Sequence, residues 1–296
     1  MEQILKFPRT KHLTGSGLQA GDGDLPQVDA GALAGRSVVI TEKIDGANAG
    51  LSFDAEGRLW LQSRGHYLTG GHRERHFDLF KQWASGHAAA LRDRLSDRFL
   101  IYGEWLFARH TAFYDALPDY FVEFDVFDRA ERRFLCAEAR RALLDGLPVA
   151  SAPVVWSGVF PRGLDLMALI GPSAFKTEGW REALTRAAEA AGVDVERAHQ
   201  QADPSILMEG LYIKIEEGGQ VVERLKLVRP GFTQAINDAD GHWLDRPIVR
   251  NQRAPRGLPT EGDRRPLGDP SEGRAAPLGD RATSIMAAEG GRPEVQ

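Results

Sequence analysis

Thr41-Glu42-Lys43-Ile44-Asp45-Gly46-Ala47-Asn48 is the stretch on which the reading of the fold turns. A run of β-formers, Ser37-Val38-Val39-Ile40-Thr41, leads into it, and a second, Ala49-Gly50-Leu51-Ser52-Phe53, leaves it. Lys43 therefore falls where one strand ends and a tight turn supported by Gly46 begins. A lysine there can be held still by its strand while the amine stays open to a ligand. It becomes a nucleophile only when the ammonium loses a proton, which desolvation or neighbouring cations favour. The motif is short, and a solvated hairpin lysine explains it equally well when it is taken alone.

Five later segments carry charged residues at the ends or inside of strands. They are Ser63-Arg64-Gly65, Ile101-Tyr102-Gly103-Glu104-Trp105, Phe121-Val122-Glu123-Phe124-Asp125-Val126-Phe127-Asp128, Glu209-Gly210-Leu211-Tyr212-Ile213-Lys214 and Arg224-Leu225-Lys226. Glu104 lies in the apolar run Phe99–Phe107, where a carboxylate is costly unless paired or hydrogen-bonded. An arginine beside Gly65 can approach a phosphate or a ribose with a planar fork. Arg224 and Lys226 are two apart on a strand, so their side chains face the same way. Two such cations repel unless an anion sits between them, and a triphosphate is such an anion.

Taken in order, the six segments resemble the nucleotidyl motifs of the covalent nucleotidyltransferase superfamily: ATP-dependent DNA ligases, RNA ligases and mRNA capping enzymes. The resemblance covers residues 37–230. Within it the RNA-ligase branch fits best, because Asn48 is similar to the asparagine of K-x-x-G-x-N, where DNA ligases usually carry arginine. After Lys226 no stretch reads as an OB-fold. The resemblance implies an ATP-grasp-like nucleotidyltransferase domain that joins RNA 5′-phosphate and 3′-hydroxyl ends through a lysyl–AMP intermediate and an adenylylated RNA end. Minimal ATP-dependent DNA ligation and a non-catalytic nucleotide- or RNA-binding module of the same fold are the alternatives.

The roles that follow are those the resemblance implies. Lys43 attacks the ATP α-phosphate. Glu42 reads the adenine edge, Phe124 stacks on the base, and Arg64 and Glu104 hold the ribose and phosphate surroundings. Lys226, with Arg224 and Lys214, balances phosphate charge. Glu104 and Glu209 serve Mg²⁺ or Mn²⁺, and Asn48 serves the RNA steps. RNA ends are the expected partner, together with a separate end-healing kinase or phosphatase. Two departures stand out: Arg224 replaces the usual lysine, and Asp45 is the DNA-ligase-like choice where one RNA-ligase branch has histidine.

The 296 residues carry a net charge of −5, so no global basic field holds nucleic acid, and phosphate contacts must be local. The one cysteine, Cys136, permits no intrachain disulfide, which fits a reducing compartment. No apolar run approaches the roughly 20 residues that span a bilayer, so a cytoplasmic protein with no membrane association is the expectation.

Strand and helix signals alternate irregularly, which gives an α+β expectation of twisted antiparallel sheets with flanking helices. Residues 6–24 read as a lead-in strand and Gly-rich loop, with Lys6, Arg9 and Lys11 as phosphate candidates, and Phe7-Pro8-Arg9-Thr10 resembles the stretch with which some RNA ligases begin, which implies a substrate role as the alternative. Strands are expected at Ser37–Thr41, Ala49–Asp54 and Arg58–Ser63, followed by a cationic loop over Gly65–Arg75. His66, His72 and His76 match no standard zinc spacing. Helices are expected over 74–84, 88–95 and 137–147, and a helical insert with a packing or substrate-orienting role over 163–202. Residues 209–215 and 220–228 read as a closing hairpin. Residues 1–250 form the nucleotidyltransferase domain. Residues 251–296 hold 6 Pro, 7 Gly and no aromatic residue, with 7 basic balancing 7 acidic side chains, so they bury too little apolar area to order and read as a disordered tail.

Overall fold

Two half-sheets face each other across a cleft, and the Lys43 stretch is the chain's crossing from one to the other. The computed structural model describes residues 4–18, 24–232 and 247–255. The strands, in chain order, are β1 (Lys11–His12), β2 (Ser37–Lys43), β3 (Ala47–Phe53), β4 (Leu59–Ser63), β5 (Phe99–Trp105), β6 (Phe121–Asp128), β7 (Arg133–Leu135), β8 (Ala150–Ser151), β9 (Val154–Val159), β10 (Gly210–Glu217) and β11 (Gln220–Val228). The helices are α1 (Asp78–Gly86), α2 (Ala88–Leu95), α3 (Ala137–Leu144), α4 (Trp180–Ala190) and α5 (Val195–Gln200). The α+β expectation is met.

The strand order is β4-β3-β5-β6-β7-β11-β10-β2-β9, all antiparallel, with β1 added parallel to β11 and β8 parallel to β6. The two parallel pairs are departures from the all-antiparallel expectation. β2 does not pair with β3, so residues 37–63 are not one meander. β2 pairs with β10 and β9, whereas β3 pairs with β4 and β5. Among the described residues only the three-residue β7 ties the halves edge to edge, through Phe134 opposite both Phe127 and Val221.

Each half has its own core, because each sheet buries one face under different cover. Leu51, Phe53, Ile101, Phe121 and Val126 pack against Phe80, Leu91 and Leu95 of α1 and α2. Ile40, Leu211, Ile213 and Leu225 pack against Leu33, Phe160 and Leu166. α1 and α2 need this packing, since helices of nine and eight residues are marginal alone. The expected 74–84 helix begins as a 3₁₀ segment, His72–Phe77, before α1. Of the expected helical insert, α4 and α5 are helical. The stretch before α4 is bridged at Pro172 to Leu207 instead, because Gly171-Pro172 breaks the helical run.

Residues 251–255 correct the tail boundary. Asn251 is 1% exposed: Nδ2 donates to the Leu106 carbonyl (2.8 Å), Oδ1 accepts from Tyr114 N (3.0 Å), and its carbonyl accepts from Tyr120 Oη (3.0 Å). An amide that satisfies three buried groups belongs to the domain, and composition alone could not show it. The rest of the expected tail, 256–296, lies outside the described residues.

Candidate active site

The crossing turn is short and fixed. Asp45 is 3% exposed, and its Oδ2 accepts from Thr111 N and Ala112 N, both at 2.7 Å, while Asp45 N donates to Tyr114 Oη at 2.9 Å. Gly46 passes so close to β5 that a Cβ would lie 2.5 Å from Leu106 Cδ2 and 3.0 Å from the Trp105 carbonyl oxygen. Asp45, a departure by sequence, therefore ties the turn to the Leu106–Leu117 loop. Lys43 leaves β2 into the cleft just before this clamp.

A cavity of about 720 Å³, counted to its open mouth, runs from that lysine to an aromatic end. Lys43, Asn48, Arg64, Glu104 and Lys226 line the polar part; Phe7, Pro8, Phe124 and Tyr212 line the apolar part. Seven sequence candidates, Glu42, Lys43, Asn48, Arg64, Glu104, Phe124 and Lys226, thus meet in one cleft.

Lys43 Nζ lies 2.6 Å from Glu209 Oε1. Burial alone would lower the ammonium pKa, but the charge and hydrogen bond of Glu209, with Asp45 and Glu104 nearby, hold it above the ordinary lysine value. Burial raises the Glu209 carboxyl, with Lys43 opposing. Glu104 is pushed up to about 8, chiefly by burial and against the pull of Lys43. In this state the lysine is a protonated partner of carboxylates, so reaction requires the pair to give up a proton.

Asn48 and Glu104 are direct cross-strand partners between β3 and β5, so they share a face. Asn48 Oδ1, Glu104 Oε2 and Glu209 Oε2 are each buried with no hydrogen-bond partner among the described residues. Unsatisfied buried acceptors are costly. These three oxygens, two of them carboxylate, are a donor set suited to a divalent cation and its waters. Among the described residues no cluster of three or more His, Cys, Asp or Glu could hold a metal by itself, so phosphate oxygens would have to complete the shell.

Strand register separates the basic candidates. Lys43 lies opposite Gly210, Thr41 opposite Tyr212, and Val39 opposite Lys214; across the next ladder Tyr212 meets Lys226, and Lys214 meets Arg224. At about 3.4 Å per residue, Lys226 is one side-chain row, about 7 Å, from the Lys43 row, and Lys214 and Arg224 are about 14 Å away. Neither Lys214 nor Arg224 lines the cleft. Lys214 is fully buried, with Nζ 2.9 Å from Asp125 Oδ1, and its amine is lowered to about 8 by burial and then by the charge of Arg140. Arg224 Nε is 3.9 Å from Asp125 Oδ2, and its guanidinium lies 3.7 Å above the Phe134 ring. Both phosphate assignments are therefore corrected. Lys214 and Arg140 donate to the Phe124 carbonyl, so these cations, with Asp125 and Glu123, brace the strand that carries Phe124. The signal for this was the alternation Glu123-Phe124-Asp125 inside an apolar strand, whose acids must be paired if both face inward.

Glu42, next to Lys43 at the end of β2, also lines the cavity, although only 2% of it is exposed. Ser173 Oγ donates to its Oε1 (2.6 Å) and Ala174 N to its Oε2 (3.0 Å), so each carboxylate oxygen accepts one hydrogen bond from the insert. Burial lifts this carboxyl to about 7. The insert thus does more than pack, since it anchors the nucleophile's strand. The described side chains of the Gly65–Arg75 loop do not line the cleft. Instead, Glu74 accepts from Thr69 N and Gly70 N and pairs with Lys81 at 2.6 Å.

Phe7, Pro8 and Tyr212 were missed. Tyr212 could have been found, because it shares the parity of Lys214 inside a motif already singled out. Phe7 sits in a segment with no periodicity to read.

The RNA ligase family model matches residues 36–228. No curated protein matches the chain. Solved structures similar to it include Naegleria gruberi RNA ligase with PPi, at 15% identity and TM-score 0.48, covering 80% of this chain and 64% of that one. They also include a mutant of the Naegleria gruberi RNA ligase with ATP and Mn, at 15% identity and TM-score 0.43, covering 67% of this chain and 51% of that one. The chain thus spans between about half and two thirds of the length of the solved chains it resembles.

Proposed function

The chain belongs to the RNA ligase family, and from that premise we propose that it is an ATP-dependent RNA ligase whose nucleophile is Lys43. The observation that carries this reading is the Lys43–Glu209 contact at the polar end of a cleft whose other end is aromatic. That polarity matches a nucleotide laid with its α-phosphate at the lysine and its base at Phe124.

In the first step the Lys43 amine attacks the α-phosphorus of ATP in line. A P–N bond forms, the bond to the β-phosphate oxygen breaks, and pyrophosphate leaves. Glu209 Oε1 is within reach to accept the ammonium proton beforehand. Lys226 neutralises phosphate charge one row away, and Arg64 approaches from the β4 end. Glu104 and Glu209, with Asn48 beside them, are the residues that would hold Mg²⁺ or Mn²⁺, which would supply neutralising charge for the triphosphate. The adenylate then passes to an RNA 5′-phosphate, and a 3′-hydroxyl displaces AMP to form the phosphodiester. Ends with a 5′-hydroxyl would need a separate kinase first and ends with a 3′-phosphate a phosphatase, and we place these activities in the cytoplasm.

Purified protein with ATP and a divalent cation should join nicked or single-stranded RNA 5′-phosphate ends and leave all-DNA ends unjoined. Equal sealing of DNA would move the assignment to a minimal DNA ligase. Binding of ATP and RNA with no joined product and no protein adenylate would make the chain a binding module.

A further inference from the structure

The N-terminal segment Ile4–Lys11 lies apart from every motif that carries the proposed chemistry, yet it bridges both halves of the fold. At its start the Leu5 carbonyl accepts from Gln62 Nε2 of β4 (2.9 Å) and from Tyr102 Oη of β5 (2.8 Å). At its end Lys11 and His12 pair with Leu225 and Lys226 of β11. Between these anchors the segment spans the apolar end of the cleft, and Phe7, Pro8 and Thr10 line the cavity. Phe7 packs edge-on to Phe124, ring centroids 5.0 Å apart at 76°, and also contacts Tyr102 at 5.0 Å. The guanidinium of Arg224 lies 5.4 Å over the Phe7 ring.

We propose that this segment is a strap that completes the nucleotide-base pocket, with Phe7 as a base-contacting residue beside Phe124. The inference rests on the ligase reading for the orientation of the nucleotide. Three observations carry it. The half-buried Phe7 ring lines the same cavity as Phe124, where a planar base can pack against it. The ring is held by other rings and a cation, so it is pre-set, and little ordering cost falls on binding. The segment's two anchors belong to opposite halves, so the strap crosses the cleft at the base end while its second anchor pairs with the backbone of Leu225 and Lys226.

The test separates base binding from phosphate binding by calorimetry on the full chain, with ATP and inorganic tripolyphosphate as probes. Phe7→Ala should weaken ATP about tenfold, equal to about 1.4 kcal/mol, and leave tripolyphosphate unchanged. Phe7→Leu, which keeps apolar volume but removes the ring, should also weaken ATP, and Phe7→Tyr should restore it. Equal losses for ATP and tripolyphosphate would reduce Phe7 to a structural role and overturn the proposal. Unchanged ATP affinity in Phe7→Leu would overturn it too. Because binding is read directly, the outcome stands apart from the ligase reading, which fails only if the wild-type protein forms no adenylate.

Discussion

Replacing Gly210 by alanine should disable the site through the backbone alone. Gly210 opens β10 directly after Glu209, opposite Lys43 on one side and Val228 on the other. A Cβ there would lie 1.9 Å from the Leu227 carbonyl oxygen and 2.9 Å from Val228 Cα. A carbon normally approaches a carbonyl oxygen to about 3.3 Å, so β10 and β11 must part by about 1.4 Å at this point. The obstruction is the backbone of β11, so no rotamer change relieves it. Overpacking of this kind costs about 1–3 kcal/mol, and the melting temperature should fall by roughly 2–10 °C for a domain of this size. The larger effect should be on chemistry. Displacing Glu209 from Lys43 by about 1 Å should slow adenylylation on the order of 100-fold. Single-turnover formation of the labelled protein adenylate, measured below the melting temperature, reads this directly. A Gly210→Ala protein that reacts at the wild-type rate and melts at the wild-type temperature would refute the packing argument for this motif glycine.

Asn48→Ala should retain most protein–AMP formation and lose joining of a pre-adenylylated RNA strand, whereas Lys226→Ala should lose the first step; side-by-side assays of both steps check the division, and normal sealing by Asn48→Ala would contradict it. Glu42 is held at about 7 in the folded protein against 4.5 ordinarily. The native state therefore binds the extra proton between those values, and stability falls as pH rises from about 4.5 to 7, by about 3 kcal/mol in all. Glu42→Gln, which stays neutral, should therefore melt at a similar temperature to the wild type near pH 4.5 and several degrees higher at pH 8; a gap that does not widen with pH would count against it. Truncation after Pro255 should leave melting and adenylylation intact. Truncation after Arg250 removes the partners of the Leu106 carbonyl and Tyr114 N–H and should cost at least about 2 kcal/mol.

The strands and the catalytic end of the cleft were legible because their signals are local. β-Formers flank Lys43, an acid interrupts the apolar run at Glu104, and parity puts Lys226 on the side that faces the nucleotide. What the sequence hid depends on pairing between distant strands. The parity that places Lys226 in the cleft also places Arg224 on that face, and only the ladder from Lys43 through Gly210 to Val228 shows that Arg224 lies about 14 Å farther along. Charge type alone could not separate a phosphate ligand from a brace for Phe124. The contacts that hold Glu42 were hidden for a related reason, since Ser173 and Ala174 arrive from 131 and 132 residues away. The base-end placement of the strap and the burial of Asn251 were hidden because neither lies in a periodic segment, and each is fixed by partners distant in the chain.

Covalent adenylylation mapped to its residue tests the central claim most directly. Full-length protein incubated with α-labelled ATP and Mg²⁺ or Mn²⁺, then digested and sequenced by mass spectrometry, should carry a single adenylate on the peptide that contains Lys43. Lys43→Ala should carry none, and Lys43→Arg should also fail, because a guanidinium stays protonated. An adenylate on any other residue, or one that persists at the wild-type level in Lys43→Ala, would contradict the account.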